Sequence, residues 1–286
     1  MNAPRIYVLA PVHNRRAITE KFIRCLLAQT YSQWHLILID DGSTDDTGKM
    51  VQAMVPHAAL TVLRGRGNWW WAGSLHQGYL WLKQQKTGAN DIVLIVNDDT
   101  AFHPDFLAKA VKAIKPGSLM VAQAHHVKGG LDEVGVRWDW KRLQAVAVTD
   151  MAEVQCFSTR GLFLHLADFL RLGGFRPVLL PHYLSDYEFS IRARRKGLAL
   201  MTAPDVFLRY DDDQALTGIR NTQGYSALKS LRMNLSIRSA DNPIYWMSFI
   251  LLACPPRYIP LNLARVWWRF FAPLRKGIRR RLLRSA

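Results

Sequence analysis

The sequence predicts an α/β fold in which a mostly parallel central sheet carries helices on both faces. Three observations predict it. Within the first hundred residues, short apolar runs alternate with segments of helical periodicity. The runs are apolar at nearly every position, as in strands covered on both sides, where a half-exposed strand would alternate. Acidic turn clusters close two of these runs, at the strand ends where open α/β sheets bind ligands.

Taken in order, residues 6–9 form a first strand. Residues 16–29 place Ile18, Phe22, Cys25, Leu26 and Gln29 at helical spacing. Residues 34–39 (WHLILI) are a second strand, closed by Asp40-Asp41-Gly42-Ser43. Thr44 or Asp45 caps a helix reaching about Val55, and residues 60–63 make a third strand. Residues 73–86 carry Leu75, Tyr79 and Leu82 on one helical face, and residues 91–96 (DIVLIV) are a fourth strand ending in Asn97-Asp98-Asp99. From 117 to 165 the pattern is strand-rich, with a hairpin or meander over 134–148. A helix over 166–172 stops at Gly173-Gly174, and another over 186–196 stops at Gly197. Residues 205–210 are a last strand before the acidic turn Asp211-Asp212-Asp213. The expected organisation is one domain over 1–240 and a basic, aromatic-rich amphipathic helical tail over 241–286.

The chain has 286 residues, 49% of them hydrophobic, and a net charge of +16. That charge favours anionic partners: phosphate-bearing ligands, anionic lipid or nucleic acid. The basic residues concentrate in the tail while the sheet rim is acidic, so no nucleic-acid partner is expected. Arg265, Arg269, Arg275 and Arg279–Arg281 interleave with Trp267, Trp268, Phe270 and Phe271. This composition suits a helix lying in a lipid headgroup layer, and residues 257–286 are expected on an anionic membrane surface. No run of about 20 apolar residues predicts a spanning helix. The N-terminus reads as a strand, without a signal-peptide pattern. Cys25, Cys156 and Cys254 are dispersed, odd in number and lack metal-ligand spacing, which fits a reducing, cytoplasmic compartment.

The acidic pairs match the needs of a nucleotide-diphosphate ligand. Asp41 can accept from a base N–H. Asp98 and Asp99 can hold Mg2+ or Mn2+, hard ions that take carboxylate and phosphate oxygens together. Asp186, opening a helix after a glycine-rich stretch, is a candidate general base, although a carboxylate there also suits the helix dipole. In Asn68-Trp69-Trp70-Trp71-Ala72-Gly73 the three tryptophans cannot all face one core, so Trp70 or Trp71 is expected to line a donor or acceptor cleft. Arg64 and Arg66 lie beside them, and His182 precedes Asp186.

These pieces, in this order, resemble family 2 glycosyltransferases of the GT-A fold. The pieces are Pro11-Val12-His13-Asn14, Asp40–Asp45, Gly67-Asn68 with Gly73 and Gly78, Asn97-Asp98-Asp99, Gly173-Gly174-Phe175, and Asp186-Tyr187-Glu188-Phe189 with Arg192 and Gly197. The resemblance covers roughly residues 4–240. It implies that Pro11, Asn14, Asp41 and Asp98 bind the nucleotide, Asp99 the metal, and that Asp186 is the base of an inverting displacement; Arg66, beside the tryptophans, is placed to reach the diphosphate of the nucleotide. It also implies a nucleotide-sugar donor of UDP or dTDP type and a glycan or lipid-linked oligosaccharide acceptor. The enzyme would work in synthesis of a cell-envelope polysaccharide such as lipopolysaccharide, peripheral on the inner face of the plasma membrane. A tryptophan-rich segment at this position is similar to that of bacterial rhamnosyltransferases. The chain departs from the family pattern at Asn97 (first acidic position of the metal motif), at Ser185 (a glutamate in the family) and at the late metal-binding histidine, where Asp211 is the nearest candidate. The rival classes are a nucleotidyltransferase on a similar fold and a basic nucleic-acid-binding protein. A dinucleotide-dependent oxidoreductase is disfavoured, because Pro11-Val12-His13-Asn14 stands where a glycine-rich turn would be needed.

Overall fold

The computed structural model describes residues 3–210 and 226–275. In chain order the elements begin with β1 (Ile6–Val12), α1 (Arg16–Leu27), β2 (Trp34–Asp40), α2 (Thr47–Met54), β3 (Leu60–Arg64), α3 (Trp70–Leu82) and β4 (Ile92–Ile95). They continue with β5 (Thr100–Ala101), α4 (Phe106–Ala113), β6 (Ser118–His126), β7 (Leu131–Glu133), β8 (Gly135–Asp139), β9 (Gln144–Val148), β10 (Leu162–His165) and α5 (Leu166–Leu172). The last are α6 (Ser185–Arg195), β11 (Ala199–Tyr210), α7 (Ala227–Asn234), α8 (Pro243–Ala253) and α9 (Ile259–Phe270).

One nine-stranded sheet runs in the order β3-β2-β1-β4-β10-β6-β11-β5, with β7 on the edge of β6. The first four strands are parallel, β6 pairs parallel with β11, and β10 runs antiparallel between β4 and β6. The expected mostly parallel sheet is therefore present, with β10 as its reversed member. The reversal brings the start of β10 beside the end of β4, since Leu162 pairs with Ile95.

The strand alternation divides the core into two layers. Ile6, Val8, Ala10, Leu36 and Leu38 face α1, α2 and α4 through Phe22, Ile23, Val51 and Phe106. Tyr7, Leu9, Ile37 and Ile39 face α3, α5 and α6 through Leu75, Leu82, Phe169 and Phe189. Gly78 is required where α3 crosses the sheet: a Cβ there would lie 2.7 Å from a Leu9 methyl.

Two elements start well before the sequence pattern suggests, and α3 also ends earlier, at Leu82. α3 begins at Trp70 rather than Gly73, and β11 runs from Ala199, with a register shift between Ala203 and Phe207. That irregularity contains Pro204, whose missing N–H interrupts the ladder and hides the first half of the strand from periodicity.

Beyond residue 240 the chain docks on the body. Asn242 caps α8, its Oδ1 accepting from the N–H of Ile244 at 2.9 Å, and Pro243 fills the first helical position. Phe249 and Ala253 pack with Trp138 and Ile191, while Ile250 and Val266 pack with Leu143 in the turn of the β8–β9 hairpin. Arg195 of α6 donates to the carbonyls of Leu252 and Ala253 at the open end of α8. Buried Asn262 of α9 donates to the Trp140 carbonyl at 2.9 Å. The outer side of this pair leaves Leu251, Leu261, Trp267, Trp268 and Phe271 exposed. No helix among the described residues is long and apolar enough to cross a membrane.

Candidate active site

The carboxyl ends of β1, β2 and β4 share one rim, because the three strands are parallel neighbours. After β1, Asn14 takes a positive φ of 52° and its Oδ1 accepts from the N–H of Thr44 at 2.7 Å, while its own N–H donates to Ser43 Oγ. Asparagine tolerates this backbone region better than most residues. Pro11 is the penultimate residue of the same strand, opposite Ile39.

The two acidic pairs of the rim are used differently. The Asp41 carboxylate accepts four backbone N–H groups: Gly67 at 2.8 Å and Asn68 at 3.2 Å on Oδ1, Trp69 at 2.8 Å and Trp70 at 3.1 Å on Oδ2. It thereby holds the turn that leads into α3, together with the first N–H of that helix, from a distant part of the chain. Gly65 makes room for this, since a Cβ there would press on the Asp41 carboxylate and lie 2.7 Å from the Trp69 ring. Asp40 Oδ1 accepts from the N–H of Ser43 at 2.9 Å.

At the end of β4, Asp98 is buried and accepts from Thr19 Oγ1 at 2.8 Å. Burial pushes its carboxyl up to about 6, against the pull of Arg15 and Thr19. Arg15 reaches both acids, with Nε 3.4 Å from Asp98 and Nη2 3.1 Å from Asp99. The other Asp99 oxygen, Oδ1, and Asn97 Oδ1 are buried with no hydrogen-bond partner. Buried acceptors of this kind are uncommon and mark a place for a donor or a cation. Among the described residues no three His, Cys, Asp or Glu side chains converge on one point, and Asp211 lies outside the described residues.

Asp186 opens α6 after Leu184, which takes a positive φ of 66°. Such strain in a bulky residue persists only when its surroundings over-determine it. Asp186 Oδ1 accepts from the N–H of Tyr187 at 2.9 Å, and burial raises its carboxyl to about 6. Behind it, Ser190 Oγ donates to the Phe157 carbonyl and accepts the Phe157 N–H at 3.0 Å. Glu188, also buried, pairs with Arg192 at 2.8 Å and Arg176 at 3.3 Å. Arg192 donates as well to the carbonyls of Leu172 and Gly174. The Gly173-Gly174-Phe175 turn and the start of α6 are thus one clamped unit.

A cavity of about 630 Å3 opens onto Asp186, lined among others by Trp71, Trp138, His182, Tyr187 and Trp246. Trp71 Nε1 donates to Thr159 Oγ1 at 3.2 Å. Trp70 takes a positive φ of 57°, lies 5.9 Å from the His182 ring and faces Arg238 at 5.8 Å. Desolvation lowers the His182 pKa, which keeps the ring neutral near pH 7. Arg66 is exposed, and Arg64 donates to Gln52 at 3.0 Å.

Arg15, Arg160 and Trp138 also belong to the site, although no motif in the sequence contains them. Arg160 precedes β10, stacks 3.9 Å over the Tyr210 ring and acts electrostatically on Asp186. Its Nε is buried without a hydrogen-bond partner. Arg15 had a signal: it follows β1, and once β1 pairs with β4 its position falls beside Asp98. Arg160 had none, being a single arginine in a turn.

The family model of glycosyl transferase family 2 matches residues 7–164, more than half of the chain. The chain belongs to glycosyl transferase family 2. Among curated relatives, the putative glycosyltransferase EpsE of Bacillus subtilis is 24% identical over 268 residues, covering 91% of this chain and 86% of that protein. The dolichol-phosphate mannosyltransferase of Pyrococcus furiosus is 24% identical over 127 residues, 44% of this chain; the match spans only 34% of that protein. The mannosyltransferase PcManGT of Pyrobaculum calidifontis, solved with GDP-Man and Mn2+, superposes with a TM-score of 0.55 at 20% identity, covering 99% of this chain and 81% of that one. This likeness establishes the GT-A fold, and the family makes the chain a glycosyltransferase.

Proposed function

We propose that this family 2 glycosyltransferase is an inverting enzyme that moves a sugar from a nucleotide-diphosphate donor to a glycan or lipid-linked acceptor. The observation that carries the proposal is Asp186: a carboxylate with a raised pKa, held by a clamped helix start, at the edge of an aromatic cavity. The acceptor hydroxyl oxygen attacks the anomeric carbon and gives its proton to Asp186. The bond from that carbon to the diphosphate oxygen breaks, and the nucleoside diphosphate leaves. One displacement inverts the anomeric centre. A base near pKa 6 is ionised at neutral pH yet still accepts a proton in the transition state.

The donor half lies at the rim. Asn97 Oδ1 and Asp99 Oδ1 fit a hard divalent cation, Mg2+ or Mn2+, which would supply positive charge to the departing diphosphate. The PcManGT complex with Mn2+ supports a cation in this role. Pro11, Asn14 and Asp98 surround the nucleotide, with Arg66 beside them. Each Asp41 oxygen already accepts two N–H groups, so Asp41 serves the nucleotide through the loop it holds. Trp70, Trp71 and His182 line the passage to the acceptor.

The exposed Trp267, Trp268 and Phe271 of the α9 region, set among arginines, support docking on an anionic membrane. That would place the enzyme peripherally on the inner face of the plasma membrane, at a lipid-linked acceptor for cell-envelope polysaccharide. A panel of UDP-, dTDP- and GDP-sugars, assayed with Mn2+ for release of nucleoside diphosphate and for product anomeric configuration, tests the proposal. One donor should be consumed with inversion. Retention of configuration, or no turnover of any donor, would refute it.

A further inference from the structure

The cavity beside Asp186 contains two polar groups that the fold leaves unanswered. Trp138 is only 3% exposed, and its Nε1–H is buried with no acceptor. His182 Nδ1 is likewise buried without a partner. The Trp138 ring cannot turn to find one. It is wedged against Trp140 at 5.1 Å, Phe249 at 4.9 Å and Tyr187 at 5.6 Å. A fixed N–H donor in an aromatic cavity costs stability unless a ligand oxygen meets it. At about 630 Å3 the cavity is larger than one pyranose ring and falls within the usual range for ligand sites.

We propose that this cavity, built by the β8–β9 hairpin, the loop before α6 and α8, is the acceptor site, and that it takes a glycan whose terminal unit is uncharged. The proposal rests on the reading of the chain as a sugar transferase. Trp71, Trp138 and Trp246 offer faces for the C–H side of a sugar ring. Trp138 Nε1–H and His182 hold ring or hydroxyl oxygens, and the hydroxyl to be glycosylated meets Asp186. No lysine or arginine is among the lining residues, and the one charged group there is Asp186 itself. Arg160 acts on Asp186 from outside the lining, so a terminal uronate or phosphate would face a carboxylate with no cationic side chain in the cavity wall to pair with it, which disfavours a charged terminal unit. A second cavity of about 160 Å3 shares Leu143 and Trp246 with the first and is lined by Arg269 and Asp241.

Octyl glycosides of neutral hexoses and of the matching uronic acids serve as probes, with the donor found in the panel above. The neutral glycosides should show a KM at least about tenfold lower, equivalent to 1.4 kcal/mol. Trp138→Phe removes the N–H, and Ala145→Trp, on the exposed hairpin, fills the mouth without entering the core. Each should raise the acceptor KM about tenfold. Wild-type KM in both variants, or uronides used as well as hexosides, would overturn the proposal. Nucleoside-diphosphate binding, followed by calorimetry on the same proteins, separates the two failures. Its loss in the wild type counts against sugar transfer itself; its presence with flat acceptor results counts against the cavity alone.

Discussion

Asp41 and Asp99 come from nearly the same local sequence, an Asp-Asp pair closing a buried parallel strand, yet their surroundings assign them opposite work. Asp41 meets the start of α3 and is saturated by four backbone N–H groups. Asp99 meets Arg15 on one oxygen and leaves the other with no partner. One carboxylate is part of the scaffold, and the other is built to receive something from outside. A short acidic motif therefore marks a place at the sheet rim, and the partners brought by distant segments decide what it does there.

The sharpest separation between scaffold and chemistry should come from Asp186→Asn. Loss of a general base predicts a fall in kcat of about 10³-fold with nucleoside-diphosphate affinity retained. The pH dependence has two signs. Transfer needs the ionised carboxylate, so kcat should fall as pH drops through about 6. Stability runs the other way: a carboxyl raised by burial favours folding most below the ordinary carboxylate range and loses that contribution as pH rises through about 6. Asp186→Asn should accordingly have a higher Tm than the wild type at pH 7.5, and the gap should close near pH 4. An inactive variant with a lower Tm at neutral pH would assign Asp186 a structural role.

Asp99→Ala should cost about 10²-fold in kcat/KM and little in Tm, because Asp99 supports no backbone. Asp41→Ala should show the reverse emphasis. Removing a buried carboxylate from four N–H donors is expected to cost about 2–3 kcal/mol, read as a lower denaturation midpoint. Equal stability losses in the two variants would erase the distinction. Gly65→Ala is the mildest of these, pushing a methyl against Asp41 and Trp69 for about 1–3 kcal/mol.

The four parallel strands and the position of both acidic pairs were legible because buried strands read as unbroken apolar runs. The positive-φ positions at Trp70 and Leu184 were not, since neither residue type favours that backbone region. Arg15 and Asp99 are 84 residues apart, and Trp71 and Thr159 are 88 apart. Such pairs become visible only when strand order is known. The docking of α8 was equally hidden: an apolar helix reads alike whether it meets lipid or, as with Phe249 and Ile250, the body of its own chain.

The most direct measurement is the dissociation constant of the donor's nucleoside diphosphate with and without Mn2+, in the wild type and in Asp99→Ala. The account predicts at least about tenfold tighter binding with Mn2+ in the wild type and a ratio near one in the variant. A wild-type ratio near one, or an undiminished ratio in Asp99→Ala, would contradict it.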